Sequence, residues 1–425
     1  MQAIGIDIGT TSICGVVLDI KTGELIKSVT RDSNAFVSGS ADWEKIQSVE
    51  KITAIATDIL DALISEETAV IGVTGQMHGI VYVDKDCNAV SSLYTWQDGR
   101  GDQPFGDTTY AEFLGSCTGY GNVTDFYNRQ NGLVPESAAG FCTIQDYFVA
   151  HICGLKKPKI HITDAASFGL FDLEAKRFTC ENGVDFVDGF KLAGAYKNIP
   201  VSVAVGDNQA SVLSSISGQD ALLINVGTGS QVSVVSERII TANNIETRPF
   251  FEDKYIAVGA ALCGGRAYAV LKDFYKSVLS GVGKADDKTV YDLMSTFFEE
   301  KGEALTVDTR FAGTRADKTV RGSIQNISVE NFTPAALTKG VLEGMIQELY
   351  DMFTAMGVNI KGIVGSGNGI RKNKALITAT EKRFGYNLKI PCHTEEAAFG
   401  AALYGMICAG CCKNVGEARK LIRYI

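Results

Sequence analysis

Apolar residues dominate Ala3–Asp7, and the Gly9-Thr10-Thr11 turn separates this run from a second one at Ile13–Asp19. Lys21-Thr22-Gly23 then turns into a third run at Glu24–Val29. Short apolar runs bounded by glycine and threonine predict three strands. The period then lengthens: Ile46, Val49, Ile52, Ile55, Ala56 and Ile59 recur every three or four positions and predict a helix over Trp43–Leu63. Val70–Val73 is a continuous apolar run, read as a buried strand ending at Thr74-Gly75. The opening pattern returns at Ala221–Val226, Gly227-Thr228-Gly229 and Gln231–Val235. Helix-period segments follow at Tyr268–Leu279 and at Pro334–Met356, the latter with Leu337, Val341, Met345, Leu349 and Met352 on one face. Ile360–Val364 is a further strand.

A repeat of this size predicts two similar α/β domains facing each other across a cleft, where a ligand would lie. The expected division is 1–215 and 216–425, with the boundary near the small residues Ser214–Gly218. The order β-β-β-α-β resembles the ribonuclease-H-like unit of actin-like ATPases. The expected fold class is therefore two actin-like ATPase domains flanking a central cleft.

Composition narrows the function. A chain of 425 residues with 45% hydrophobic and 21% charged residues is globular and long enough for two cores. A net charge of −9 argues against nucleic acid and anionic membrane as partners. Anionic phosphates would have to be held by local backbone donors, a metal ion or a few cations. The N-terminus lacks a signal-peptide pattern, no stretch reaches the roughly 18–20 apolar residues of a membrane span, and a cytoplasmic location is expected. The eleven cysteines are scattered, as reduced core residues are. Cys408, Cys411 and Cys412 could be read as a metal or iron–sulfur cluster. Their helical context, Ala398–Cys412, with no second cysteine or histidine pair nearby, favours packing.

Two loops suit phosphate. In Asp7-Ile8-Gly9-Thr10-Thr11, glycine permits a sharp turn, N–H and hydroxyl groups can donate to oxygens, and a strand-end aspartate can hold magnesium. Gly227-Thr228-Gly229-Ser230 repeats that arrangement one domain later. Gly365-Ser366-Gly367-Asn368-Gly369 suits close passage of backbone beneath a flat base. It is not a dinucleotide-binding fingerprint, and no Walker sequence is present.

Two further loops suit a sugar: Thr74-Gly75-Gln76-Met77-His78-Gly79 and Thr95-Trp96-Gln97-Asp98-Gly99-Arg100. Trp96 offers an apolar wall, and Gln76, His78, Asp98 and Arg100 offer donors and acceptors for hydroxyls. A lone histidine is more often a structural residue, and Asp98–Arg100 could be a local ion pair. Asp207, in Gly206-Asp207-Asn208-Gln209-Ala210, follows the apolar strand Val201–Val205. It is either a helix cap or the carboxylate that phosphoryl transfer to a hydroxyl requires.

Asp7–Thr11, Gln76-Met77-His78, Trp96–Arg100, Gly206–Ala210, Gly227–Ser230, Gly365–Gly369 and Glu395–Leu403 occur in the order found in the FGGY carbohydrate kinases. The likeness runs from residue 3 to about residue 410, and the chain is identified as a member of that family. The resemblance implies ATP and Mg2+ as cofactors and a ketose as substrate. The loops look most like those of members acting on a seven-carbon ketose, with pentulose kinases next. It further implies Asp207 as the catalytic base and Gln76, Met77, His78, Trp96 and Asn208 in sugar recognition. Asp7 would orient magnesium. Thr10, Thr11, Gly227, Thr228 and Gly229 would bind phosphates, and Gly367, Asn368 and Asn373 the adenosine. Ser366 departs from the usual triple glycine. Thr163-Asp164-Ala165 also matches a family segment and is read as a structural turn. Small-molecule sugar and ATP are the expected partners, with a homodimer as the expected assembly. Two other classes share parts of this pattern: an actin-like ATPase activator, which would not need the two sugar loops, and a catalytically silent sugar-binding regulator, which would not need Asp207.

Overall fold

Each predicted strand at the N-terminus forms. The computed structural model describes residues 1–218, 220–281, 283, 286–314 and 317–425. Strands β1 (Gln2–Ile8), β2 (Ser12–Asp19) and β3 (Leu25–Asp32) make an antiparallel meander, and the buried β4 (Thr68–Gly75) lies parallel to β1. Helix α1 spans Val49–Leu63, shorter than its apolar period suggests. Ser48 stops it by accepting the Lys51 N–H on its side chain, and Ile46–Gln47 pairs as a short strand instead. Later come α2 (Ile144–Cys153), α3 (Ile162–Ser167), β5 (Leu192–Tyr196), β6 (Ile199–Ser202) and β7 (Val205–Gly206). The sheet order is β5-β6-β4-β1-β2-β3, with β7 also pairing β4. Helix α4 (Asp207–Ser215) follows directly.

The repeat is equally clear. Strands β8 (Ala221–Val226), β9 (Ser230–Ser236), β10 (Ile245–Pro249), β11 (Tyr255–Ala261), β12 (Gly362–Ser366) and β13 (Leu388–Lys389) form a second sheet, ordered β10-β11-β9-β8-β12-β13. Its helices are α5 (Gly264–Ser280), α6 (Asp287–Glu299), α7 (Pro334–Ala355), α8 (Gly367–Lys372) and α9 (Lys374–Phe384). The last long helix, α10, is Glu396–Cys408, so Cys411 and Cys412 fall in the turn beyond it. Among the described residues, no helix is long and apolar enough to cross a membrane. No group of three or more His, Cys, Asp or Glu is placed to hold a metal ion among them.

The chain divides into two compact units, but not by a single cut. The first unit takes Met1–Gly218 and recovers Arg248–Lys254 and Glu395–Arg423; the second includes Tyr255–Thr394. Helix α10 explains one return. It lies so close on β1 and β4 that a Cβ at Gly5 or Gly72 would come within 1.8 Å of a carbonyl oxygen, Ala398 or Ala401 respectively. Only glycine admits that approach. Gly72→Ala must push the helix off the sheet, and a loss of about 1–3 kcal/mol is expected, read by calorimetry as a melting temperature several degrees lower. An unchanged melting temperature would contradict this packing.

Candidate active site

Strand register brings distant residues together in the first unit. On β1 and β4, Asp7 pairs with Thr74 and Ile8 with Gly75; on β7 and β4, Val205 pairs with Thr74 and Gly206 with Gly75. All three strands are parallel, so Asp7, Gln76 and Asp207 leave adjacent carboxyl ends, where open α/β sheets bind ligands. The Thr74 hydroxyl donates to the Val205 carbonyl at 2.6 Å, and the Gln76 N–H to that of Ile8 at 3.0 Å, which fixes the three ends relative to one another.

Asp207 is the first helical residue of α4. The N-cap is Gly206, and no side chain caps the helix. The cap explanation is thereby removed. Burial lifts the Asp207 carboxyl to about 6, against the lowering pull of the Arg248 guanidinium. Asp7 rises further, to about 8, through burial and the negative charges of Asp207 and Glu395. The buried Oδ1 of Asp7 and Oδ1 of Asn208 have no hydrogen-bond partner. A divalent cation would relieve both the repulsion and the orphaned Asp7 oxygen. One or two carboxylates suit Mg2+, which keeps waters and substrate phosphates as its other ligands.

The sugar loops depart from the sequence reading in several residues. Asp98 and Arg100 are 0% and 1% exposed and face each other, with Arg100 Nε 2.5 Å from Asp98 Oδ1. Asp98 also accepts the Lys45 N–H, and Arg100 bonds Asn128 and stacks over Tyr94 at 4.1 Å. A buried pair with its capacity used this way cannot read hydroxyls, so both residues leave the sugar set. They brace the loop that carries Trp96, which is 45% exposed. Gln76 is also enclosed, accepting from the Thr10 hydroxyl at 3.2 Å and donating to Gln47 Oε1 at 3.0 Å. The Trp96 indole N–H donates to the same Thr10 hydroxyl at 3.0 Å. Thr10 thus spends its hydroxyl proton within the sugar loops, while Thr11 is exposed. Met77 is buried beneath the Asp207 turn, its sulfur 4.0 Å from Arg248. His78 adopts a left-handed φ of 72°, stacks on Tyr120 at 4.2 Å and places Nδ1 2.7 Å from the Ser167 carbonyl oxygen.

In the second unit, the Gly227-Thr228-Gly229 turn joins β8 to β9 and is stitched to the start of α5. Gly265 N–H donates to the Gly227 carbonyl and Arg266 N–H to that of Thr228, both at 3.0 Å. Beside the turn lies a cavity of about 1230 Å³, lined by Gly227, Thr228, Gly367, Asn368 and Asn373 among others. Gly229 is not on its wall; its carbonyl accepts the Gly227 N–H at 2.9 Å, a role in the turn itself. Gly367 has φ 82° and would carry a Cβ 2.6 Å from the Val226 carbonyl, so the turn requires glycine. Ser366 is tolerated because its hydroxyl accepts the Asn225 amide at 2.8 Å.

Sequence reasoning missed Arg248 and the cavity cations Arg266, Lys372 and Lys374. Arg248 belongs to β10, 41 positions beyond Asp207 in a segment that returns to the first unit, and no local motif marks it. The cavity cations supply the local positive charge that an acidic chain needs.

Two sheets of this topology, one ending three parallel strands at two carboxylates and one beside a glycine-lined cavity, define a two-domain actin-like α/β enzyme. Comparison with known proteins narrows that class. Residues 2–106 match the FGGY family of carbohydrate kinases, N-terminal domain, and residues 222–409 its C-terminal domain. The chain belongs to the FGGY family of carbohydrate kinases. Sedoheptulokinase of Mus musculus is 28% identical to it, covering 94% of this chain and 96% of the mouse protein. The crystal structure of xylulose kinase from Rhodospirillum rubrum superposes with TM-score 0.85 at 16% identity, over 100% of this chain and 93% of that one. Glycerol kinase of Plasmodium falciparum, solved with ADP, gives 0.74 at 14% identity, over 99% and 92%. At these identities the two structures show the shared fold.

Proposed function

We propose that this protein transfers the γ-phosphoryl group of ATP to a primary hydroxyl of an open-chain ketose, with sedoheptulose the first candidate and sedoheptulose 7-phosphate and ADP the products. The observation that carries the reading is the placement of Asp207 at a strand end near Asp7, partly buried and not spent on capping. Asp207 accepts the hydroxyl proton as the sugar oxygen bonds to the γ-phosphorus and the bond to ADP breaks. A carboxylate with its pKa near 6 is ionised at neutral pH and still basic enough to take that proton. Asn208 presents an unpartnered oxygen, Trp96 a half-exposed ring and His78 an imidazole to the sugar. Asp7 is the residue to hold magnesium, whose contribution is to neutralise phosphate charge. The cavity beside Thr228, with Asn368 and Asn373 on its wall and Arg266 among its cations, takes the nucleotide. The scattered cysteines are in keeping with a reducing, cytoplasmic setting.

The likeness to mouse sedoheptulokinase across nearly the full chain supports the seven-carbon sugar. ADP release measured with sedoheptulose, xylulose, ribulose, fructose and glycerol tests it. Sedoheptulose is expected to show the highest kcat/KM, by about tenfold or more over the pentuloses, the discrimination that a few pocket contacts can supply. Preference for xylulose or ribulose would make this a pentulose kinase instead. ADP release independent of any sugar would sink the reading.

A further inference from the structure

The short helix α3 touches two loops of the site from behind, through side chains too buried to meet a ligand. At its first turn, Thr163 Oγ1 accepts the N–H of Gly206, the residue before Asp207, at 3.2 Å. The same hydroxyl lies 2.9 Å from His161 Nδ1, which also accepts the Thr163 N–H at 3.3 Å as the helix cap. Burial keeps His161 neutral, holding its pKa down near 4, so Nδ1 remains an acceptor. The Thr163 hydroxyl therefore donates to His161 and offers its lone pair to Gly206. One directional chain of hydrogen bonds fixes the backbone from which Asp207 projects. On its other side the turn is closed by Met77, whose sulfur would be 2.8 Å from a Cβ at Gly206.

At the last turn of α3, Ser167 holds the sugar loop. Its hydroxyl accepts the His78 N–H at 3.1 Å and donates to the Asp164 carbonyl at 2.7 Å, while its own carbonyl faces His78 Nδ1. These bonds pin His78 in a left-handed conformation that a residue with a Cβ adopts only under constraint. Thr163 and Ser167 are 0% and 5% exposed. Gly206 and His78 are 128 positions apart, and both bonds run from α3 to residues outside it.

We propose that Thr163 and Ser167 are positioning residues that tie the Asp207 turn to the His78 loop, so that base and sugar are held in one register. This rests on the reading of Asp207 as the base. Steady-state kinetics of Thr163→Val, Thr163→Ser and Ser167→Ala, with Asp207→Asn as reference, test it on the full-length protein. Thr163→Val leaves the Gly206 N–H without a partner and is expected to lower kcat about tenfold to a hundredfold, with KM for ATP within about twofold of wild type. Thr163→Ser keeps the hydroxyl and restores kcat to within about threefold. Ser167→Ala is expected to act mainly on KM for the sugar, raising it about fivefold, and the double variant to lose less than the product of the single losses. Two results overturn the inference: Thr163→Val with unchanged kcat while Asp207→Asn is inactive, or Thr163→Ser as impaired as Thr163→Val. An active Asp207→Asn enzyme would remove the base reading on its own and take the inference with it.

Discussion

Asp207→Asn is expected to lower kcat about 10³-fold, which is about 4 kcal/mol of transition-state stabilisation, while KM for ATP stays within a few fold. The reasoning is local. Asp207 is ruled out as the cap of α4 by Gly206, it lies at a strand end beside Asp7, and burial has raised its carboxyl to about 6. A carboxylate accepts a proton only when ionised. The profile of kcat/KM against pH should therefore be flat above about 6 and fall as pH drops through that value. Arg248 pulls this carboxyl down, so Arg248→Ala should move the acid limb to higher pH. Activity within a few fold of wild type in the Asn variant would remove Asp207 from the mechanism. An acid limb that stays put in Arg248→Ala would leave the electrostatic account without support.

Asp7→Asn should produce the second large effect: a fall in kcat/KM of about 10²- to 10³-fold, with a higher Mg2+ concentration needed for half-maximal rate. Asp7 has its pKa lifted from 3.8 to about 8 because its charged form is buried and faces the charges of Asp207 and Glu395. Such a site is unfavourable for a bare carboxylate and favourable for a divalent cation. The same shift fixes the sign of the stability change. The folded protein binds this proton more tightly than the unfolded chain, so stability falls as pH rises from about 4 through 8. At pH 8 Asp7→Asn should therefore melt no lower than wild type without added magnesium. Lost activity in a protein of undiminished melting temperature separates a ligand role from a folding defect. Unchanged magnesium dependence with kcat within about threefold would contradict the assignment.

The site was legible in part, and the residues that were misread share a cause. The sequence reading grouped Asp98 and Arg100 with Trp96 because all three occupy one polar loop. Their spacing also permits an ion pair, and the structure closes that pair under Tyr94 and Asn128. Gln76 looks like a hydroxyl-reading group in sequence and Thr10 like a phosphate group, yet their side chains bond to each other and to Gln47 and Trp96, since burying an amide or hydroxyl without a partner is costly. Gly229 looks like a phosphate residue from its motif and serves the turn instead. The α1 start shows the same limit on a smaller scale: apolar spacing continues back to Ile46, but the cap at Ser48 decides where the helix begins.

By itself the sequence determined what depends on neighbours in the chain. The strands of the first sheet, the repeated strand–turn–strand unit, the glycine turns and the strand-end position of Asp207 all follow from periods of two or three-to-four and from residues that only certain backbone angles accept. Tertiary structure alone decided what depends on pairing across long stretches. The parallel register of β1, β4 and β7 sets Asp7 beside Asp207. The return of Arg248–Lys254 brings the Arg248 charge to bear on Asp207, and that of Glu395–Arg423 brings the Glu395 charge to bear on Asp7. Register and burial are properties of the partner strand and the packed helix, so the raised affinity of Asp207 for a proton, on which its proposed role as a base depends, exists only once the fold has closed around it.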